Sequence, residues 1–240
     1  MRPRSARPAR ARSPIGSSEA LLQKPQSSTN PMALRIKICG ITREEDAWAA
    51  VDAGADALGF VFVPGTPRFI EPERAATITR HLPPFVSCVG LFVNADPALI
   101  RAAVIEARLD TVQLHGDEPP EVGLLLRGQV RVIQAFRVQG PETLQRLPNY
   151  RKSADAWLLD AYVSGAAGGT GARFDWNLAV QARELGYPLI LAGGLKPENI
   201  AEAVRQVRPF AVDVSSGVEL SPGRKDSEKV QRLIAAARSA

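Results

Sequence analysis

The sequence predicts an α/β fold: a single eight-stranded parallel (β/α)8 barrel of the TIM type, with a disordered leader at its N-terminus. Three observations predict it. From Leu34 onward, short apolar or β-branched runs alternate with helical stretches. The runs are apolar on both alternating faces, as strands covered on both sides must be. There are eight of them, the number a closed barrel needs. Strands alternating with helices imply a parallel sheet. A doubly wound open sheet shares that signature, because periodicity does not show closure; the count favours the barrel.

The expected strands are Leu34–Cys39, Ala57–Val63, Val86–Val93, Thr111–His115, Val130–Phe136, Ala156–Asp160, Leu189–Ala192 and Ala211–Val214. The first helix has a capping-box pattern, Thr42-Arg43-Glu44-Glu45, in which hydroxyl and carboxylate satisfy free backbone N–H groups. Ala47, Trp48 and Val51 then share a face, and Gly54 stops the helix. Pro72, Pro97, Pro119, Pro141 and Pro197 each stand near a helix start, where a missing N–H costs nothing. Residues 226–238 read as the closing helix, with Val230, Leu233 and Ile234 inward.

The chain divides into a leader, 1–32, and a barrel domain, 33–240. The net charge of +5 belongs to the leader, where Arg2, Arg4, Arg7, Arg10, Arg12 and Lys24 face one acid, Glu19. That leaves 24 basic and 24 acidic side chains in the domain, out of totals of 30 and 25. The leader is rich in Arg, Pro and Ser and lacks apolar periodicity, which predicts disorder. It reads as a transit peptide, a polyanion-binding tail or a non-native extension, since Met32 directly precedes the first strand. No run is long enough to cross a bilayer. Cys39 and Cys88 form no CxxC, and only His81 and His115 accompany them, so neither a disulfide framework nor a metal site is expected. A cytoplasmic enzyme fits, or a plastid one if the leader is a transit peptide.

In such a barrel, chemistry sits at the carboxyl ends of the strands. The residues that break the apolar pattern collect there: Cys39, Arg68, Asn94, Gln113, His115, Asp160, Gly168-Gly169-Thr170-Gly171, Gly193-Gly194 and Asp213-Val214-Ser215-Ser216-Gly217. Glycine pairs after strands seven and eight let backbone N–H groups point at an anion, and Ser215 and Ser216 add hydroxyls. Together they predict one phosphate site; singly, each also reads as a tight turn. Cys88 reads as a small buried hydrophobe. Cys39, at a strand exit before Gly40, is either that or a base, whose pKa positive neighbours would lower toward neutral. Asp160, after Trp157-Leu158-Leu159, is a proton donor raised by partial desolvation, or a loop cap. Arg68 could grip a carboxylate bidentately or be a surface Arg. His81 reads as structural; His115 reads as a core-edge hydrogen bonder or a ligand contact.

These residues resemble the phosphoribosylanthranilate isomerases. The resemblance is carried by Lys37-Ile38-Cys39-Gly40-Ile41-Thr42, the stretch Gly54 to Phe62, Pro67-Arg68 and Gln113-Leu114-His115-Gly116. It continues through Gly168-Gly169-Thr170-Gly171 with Phe174-Asp175-Trp176, Leu191-Ala192-Gly193-Gly194-Leu195, and Asp213-Val214-Ser215-Ser216-Gly217 followed by Pro222 to Asp226. It covers essentially all of 34–240, in family order. Thr66 stands where the family often has Ser before Pro-Arg. The resemblance implies an Amadori rearrangement of N-(5'-phosphoribosyl)anthranilate in tryptophan biosynthesis. It implies Asp160 as the acid, Cys39 as the base, Arg68 on the anthranilate carboxylate and the last two loops on the phosphate. Gln113, His115, Gly168, Gly169, Gly193, Gly194, Asp213, Ser215 and Ser216 are expected to contact substrate. No cofactor or metal is implied, since the substrate's own nitrogen is the electron sink. The partner is then a small phosphosugar–anthranilate, with no nucleic acid and no membrane; monomer and homodimer are both compatible.

Rival readings fit less well. A histidine-pathway ribonucleotide isomerase resembles a two-fold repeat with paired aspartates, and this chain has Cys39 at the first strand end and no half-barrel repeat. A ribulose-phosphate epimerase needs more metal-binding histidines. A nucleic-acid-binding role has only the leader to support it, and a catalytically silent barrel is what a fold alone always permits.

Overall fold

A computed structural model describes residues 33–161 and 174–240. The order of elements is β1 (Arg35–Cys39), α1 (Glu44–Asp52), β2 (Ala57–Val61), α2 (Pro72–Thr79), β3 (Ser87–Phe92), α3 (Pro97–Glu106), β4 (Thr111–Leu114) and α4 (Pro120–Leu126). Then come β5 (Arg131–Val138), α5 (Glu142–Arg146), β6 (Ala156–Ala161), α6 (Trp176–Glu184), β7 (Leu189–Leu191), α7 (Ile200–Val207) and β8 (Ala211–Val214). A short hairpin, β9 (Glu219–Ser221) with β10 (Arg224–Lys225), precedes α8 (Ser227–Arg238). The expected leader lies outside the described residues, as does the glycine-rich loop at 168–171.

Closure is decided by the seam. β1 pairs in parallel with β2 on one side and with β8 on the other, from Arg35 opposite Ala211 to Ile38 opposite Val214. All eight strands follow in sequence order around a closed barrel, so the open-sheet alternative is excluded. The expected strands are all present, displaced at their ends by at most two residues. The hairpin β9–β10 was not expected.

Alternation along each strand makes two apolar regions. Ile36, Ile38, Leu58, Val112, Val132, Trp157, Leu159 and Val212 point outward and form, with the helices, one large cluster. The intervening residues face the interior, where Val89, Ile133, Leu158, Ile190 and Ala211 form a second, smaller one. Above that plug the inward positions turn polar, which is where a site can be built.

Two local expectations fail. Thr42 does not cap α1: the N-cap residue is Arg43, without a side-chain bond, and the Thr42 hydroxyl donates instead to Gly223 O at 2.6 Å. Trp48 does not share the buried face; Ala47 and Ala50 are enclosed while Trp48 is exposed. The closing helix matches its expectation, with Val230, Leu233 and Ile234 buried. Its N-cap, Asp226, accepts from the N–H groups of Glu228 and Lys229, both at 3.1 Å. Asp226→Ala is expected to cost about 1 kcal/mol, read as a lower urea midpoint at unchanged slope. Among the described residues, no helix is long and apolar enough to cross a membrane.

Candidate active site

At the carboxyl end of the barrel lies a cavity of about 300 Å³, large enough for a small ligand. Cys39, Arg68, His115, Asp160, Gly193, Gly194, Asp213, Ser215 and Ser216 all line it. They come from six different strands or the loops that follow them, so only barrel closure brings them together.

Cys39 is the last residue of β1, and Lys37, two positions earlier, faces the same interior. Gly59 on β2 makes room for both, since a Cβ there would lie 2.6 Å from Cys39 Sγ and 3.0 Å from Lys37 Cε. Lys37 is 4% exposed. Its ammonium donates to Asp213 Oδ1 and to Gln113 Oε1, each at 2.9 Å. Burial opposes the charge, but Asp213 and Cys39 outweigh it and raise the Lys37 pKa above its ordinary value. Burial likewise raises the Cys39 thiol above its ordinary value, and Lys37 only partly offsets it. The expected lowering of Cys39 is therefore corrected: the positive neighbour is present, but desolvation is the larger effect.

Across the mouth, Asp160 ends the apolar part of β6. Its Oδ1 accepts from the N–H of Ala161 at 2.9 Å. Its Oδ2 lies 3.3 Å from His115 Nε2, yet that nitrogen completes no hydrogen bond, because the approach is poorly aligned. The tautomer of His115 follows from Lys37. An ammonium has only donors, so the carbonyl end of Gln113 must face it and the amide N–H₂ must face His115 Nδ1, 2.8 Å away. Nδ1 then accepts, which leaves the ring proton to Nε2. Gly193 completes this wall with φ +85, and a Cβ there would lie 2.5 Å from Ala161 N and 3.0 Å from Asp160 Oδ1.

The opposite rim is ionic. Arg68 donates through Nε and Nη2 to the two carboxylate oxygens of Glu219, at 2.9 and 2.7 Å. Lys225 Nζ adds a third bond to Glu219 Oε1 at 2.9 Å. Burial would raise the Glu219 pKa, but the bonds from Arg68 and the nearby Lys225 hold it below the ordinary carboxylate value. Burial also lowers the Lys225 ammonium, which shares its one carboxylate with Arg68 and feels the like charge of that guanidinium. Ser215 Oγ is buried and has no hydrogen-bond partner among the described residues, and Ser216 opens a 3₁₀ turn, Ser216–Val218. Among the described residues, no group of three or more His, Cys, Asp or Glu could hold a metal ion.

Residues 36–236 match the family model described as N-(5'phosphoribosyl)anthranilate (PRA) isomerase. The chain belongs to this family. A PRA isomerase from Geobacter sp. (strain M21) is 58% identical over 85% of this chain and 98% of that relative. The solved phosphoribosyl anthranilate isomerase from Thermotoga maritima superposes with a TM-score of 0.81 at 45% identity, covering 86% of this chain and 100% of the other. A second family structure, solved in complex with reduced 1-(o-carboxyphenylamino)-1-deoxyribulose 5-phosphate, has a TM-score of 0.78 at 44% identity, with coverage of 86% and 100%.

Within this PRA isomerase barrel, most of the sequence-predicted site residues line the cavity. Gln113 does not: it is fully enclosed and bonds Lys37 and His115. Asp213 lines the cavity but is already paired with Lys37. Arg68 is no surface residue, yet its bidentate partner is Glu219 rather than open space. Gly168 and Gly169 lie outside the described residues. Cys88 is buried, as expected, and burial pushes its thiol up to about 12. His81 sits at the surface, 3.4 Å from Glu44. Sequence reading missed Lys37, Glu219 and Lys225. For Lys37 a signal existed, since it precedes Cys39 by two and must share its face.

Proposed function

We propose that this chain catalyses the Amadori rearrangement of N-(5'-phosphoribosyl)anthranilate to 1-(2-carboxyphenylamino)-1-deoxyribulose 5-phosphate, a step of tryptophan biosynthesis. The observation that carries the reading is a single cavity lined by Cys39 and Asp160 together, with the Gly193-Gly194 and Ser215-Ser216 loops on its rim. The catalytic unit is residues 33–240.

In this reading Asp160 gives a proton to the ribose ring oxygen, and the C1–O bond breaks as the anthranilate nitrogen shares its lone pair to form a protonated Schiff base. Cys39, as thiolate, then removes the proton from C2, and the electron pair left behind neutralises the iminium nitrogen. The resulting enolamine becomes the ketone when C1 takes a proton and the C2 hydroxyl gives one up, so that the thiolate and the carboxylic acid are both regained. His115 Nε2 lies 3.3 Å from the carboxylate that Asp160 becomes. The phosphate is held by backbone N–H groups of the last two loops and by the Ser215 hydroxyl, which has no partner among the described residues. Arg68, still carrying N–H groups beyond those given to Glu219, takes the anthranilate carboxylate.

The test is the loss of phosphoribosylanthranilate fluorescence on adding purified protein without metal or cofactor; no loss would remove the reading. Arg68→Ala is expected to raise KM by roughly 10- to 100-fold, the worth of one charge-assisted bond, with a smaller change in kcat. An unchanged KM would separate Arg68 from the substrate.

A further inference from the structure

One buried charge lies close to the proposed chemistry without lining the cavity. Lys37 is enclosed beneath the floor, beside Cys39 and between Asp213 and Gln113. A lysine at such depth is costly unless something requires its charge. Asp213 does not account for it alone, because replacing both members by apolar residues would remove the cost of each.

We propose that Lys37 is a positioning residue for this reaction: its ammonium, held by its bonds to Asp213 and Gln113, is the charge that makes a thiolate at Cys39 attainable. The proposal rests on the reading of Cys39 as the base. Geometry supports it first. Cys39 Sγ and Lys37 Cε both come within 3.0 Å of one point above Gly59, so the ammonium and the sulfur belong to one small enclosure. The two hydrogen bonds that Lys37 donates to Gln113 and Asp213 hold the ammonium in place.

The charged groups around Cys39 are Lys37 on its own strand, Asp213 from β8 and Lys225 from β10; Arg68, His115 and Asp160 share the cavity. Burial raises the thiol, and Asp213 raises it further. Lys37 is the largest influence in the other direction, ahead of Lys225. Lys37 itself stays charged, because its pKa is raised. Removing its charge therefore moves Cys39 up, and removing the charge of Asp213 moves it down. A merely structural role for the pair predicts no such opposition of sign.

The experiment measures alkylation of Cys39 by iodoacetamide against pH, read peptide by peptide so that Cys88 is counted separately. It uses the full chain, Lys37→Met, Asp213→Asn and the double variant, with turnover followed in parallel. In Lys37→Met the alkylation midpoint is expected to rise by about one pH unit or more, which lowers the thiolate fraction at a fixed pH below the midpoint about tenfold. The rising limb of kcat/KM moves the same way, and kcat falls with KM little changed, since Lys37 does not line the cavity. In Asp213→Asn the alkylation midpoint falls. Should Lys37→Met not fold, the double variant keeps the interior neutral, and its midpoint is still expected above that of Asp213→Asn. A folded Lys37→Met with the wild-type midpoint, or a double variant matching Asp213→Asn, would overturn the proposal. A wild type with no turnover would sink the reaction instead, and the midpoints would still decide whether Lys37 governs Cys39.

Discussion

Asp160→Asn and Cys39→Ala are each expected to lower turnover by roughly 10²–10⁴, the usual worth of a positioned acid or base. Asparagine is the sharper of the two probes. Its carbonyl oxygen can keep the bond from the Ala161 N–H, so the end of β6 stays in place while the transferable proton is gone. Cys39→Ala removes the only sulfur lining the cavity among the described residues and leaves the Lys37–Asp213 pair intact. KM should change little in both, because the groups proposed to bind the phosphate and the carboxylate are untouched. The measurement is the rate of fluorescence loss at saturating substrate, with circular dichroism confirming the fold. Full turnover in Cys39→Ala would remove the base assignment. The double variant should lose little more than the worse single one, since ring opening and C2 deprotonation are successive steps and blocking either stops the product.

The fold was largely legible because a barrel strand is covered on both sides. Runs such as Val86–Val93 and Ala211–Val214 stand out against helices that open at proline. Closure was not, since β1 reads the same beside β8 as at an open edge. The hairpin escaped because strands of three and two residues are too short to show alternation, and Leu-Ser-Pro-Gly reads as a turn. The capping-box expectation failed for a tertiary reason: Thr42 finds the carbonyl of Gly223, 181 residues away, which no local pattern announces. In the site, Cys39, Asp160 and the two loop pairs were legible from their place at strand ends. The pKa of Cys39 was not, because its sign depends on burial against Lys37, and only packing sets that balance. Glu219 was invisible for a related reason. A lone acid after β8 looks solvated until the barrel sets Arg68 and Lys225 against it.

That ionic rim carries the largest stability effect expected here. Glu219→Gln leaves Arg68 and Lys225 without their carboxylate, in a place where the Lys225 side chain is 1% exposed and that of Glu219 is 5%. Breaking a buried pair from one side strands the remaining charge, and the expected loss is roughly 3–5 kcal/mol at neutral pH. The pH dependence follows from the direction of the Glu219 shift. Its folded pKa lies below the unfolded value near ~4.3, so the native state favours the carboxylate. Its contribution is then complete above that unfolded value and is lost as pH falls through the lower, folded one. Urea unfolding of wild type and Glu219→Gln should therefore differ fully at pH 7 and converge under acid. The variant should also raise KM more than it lowers kcat, because Arg68 loses the fork that aims it along the cavity wall. A difference below about 1 kcal/mol at pH 7 would rank the bridge with exposed surface pairs.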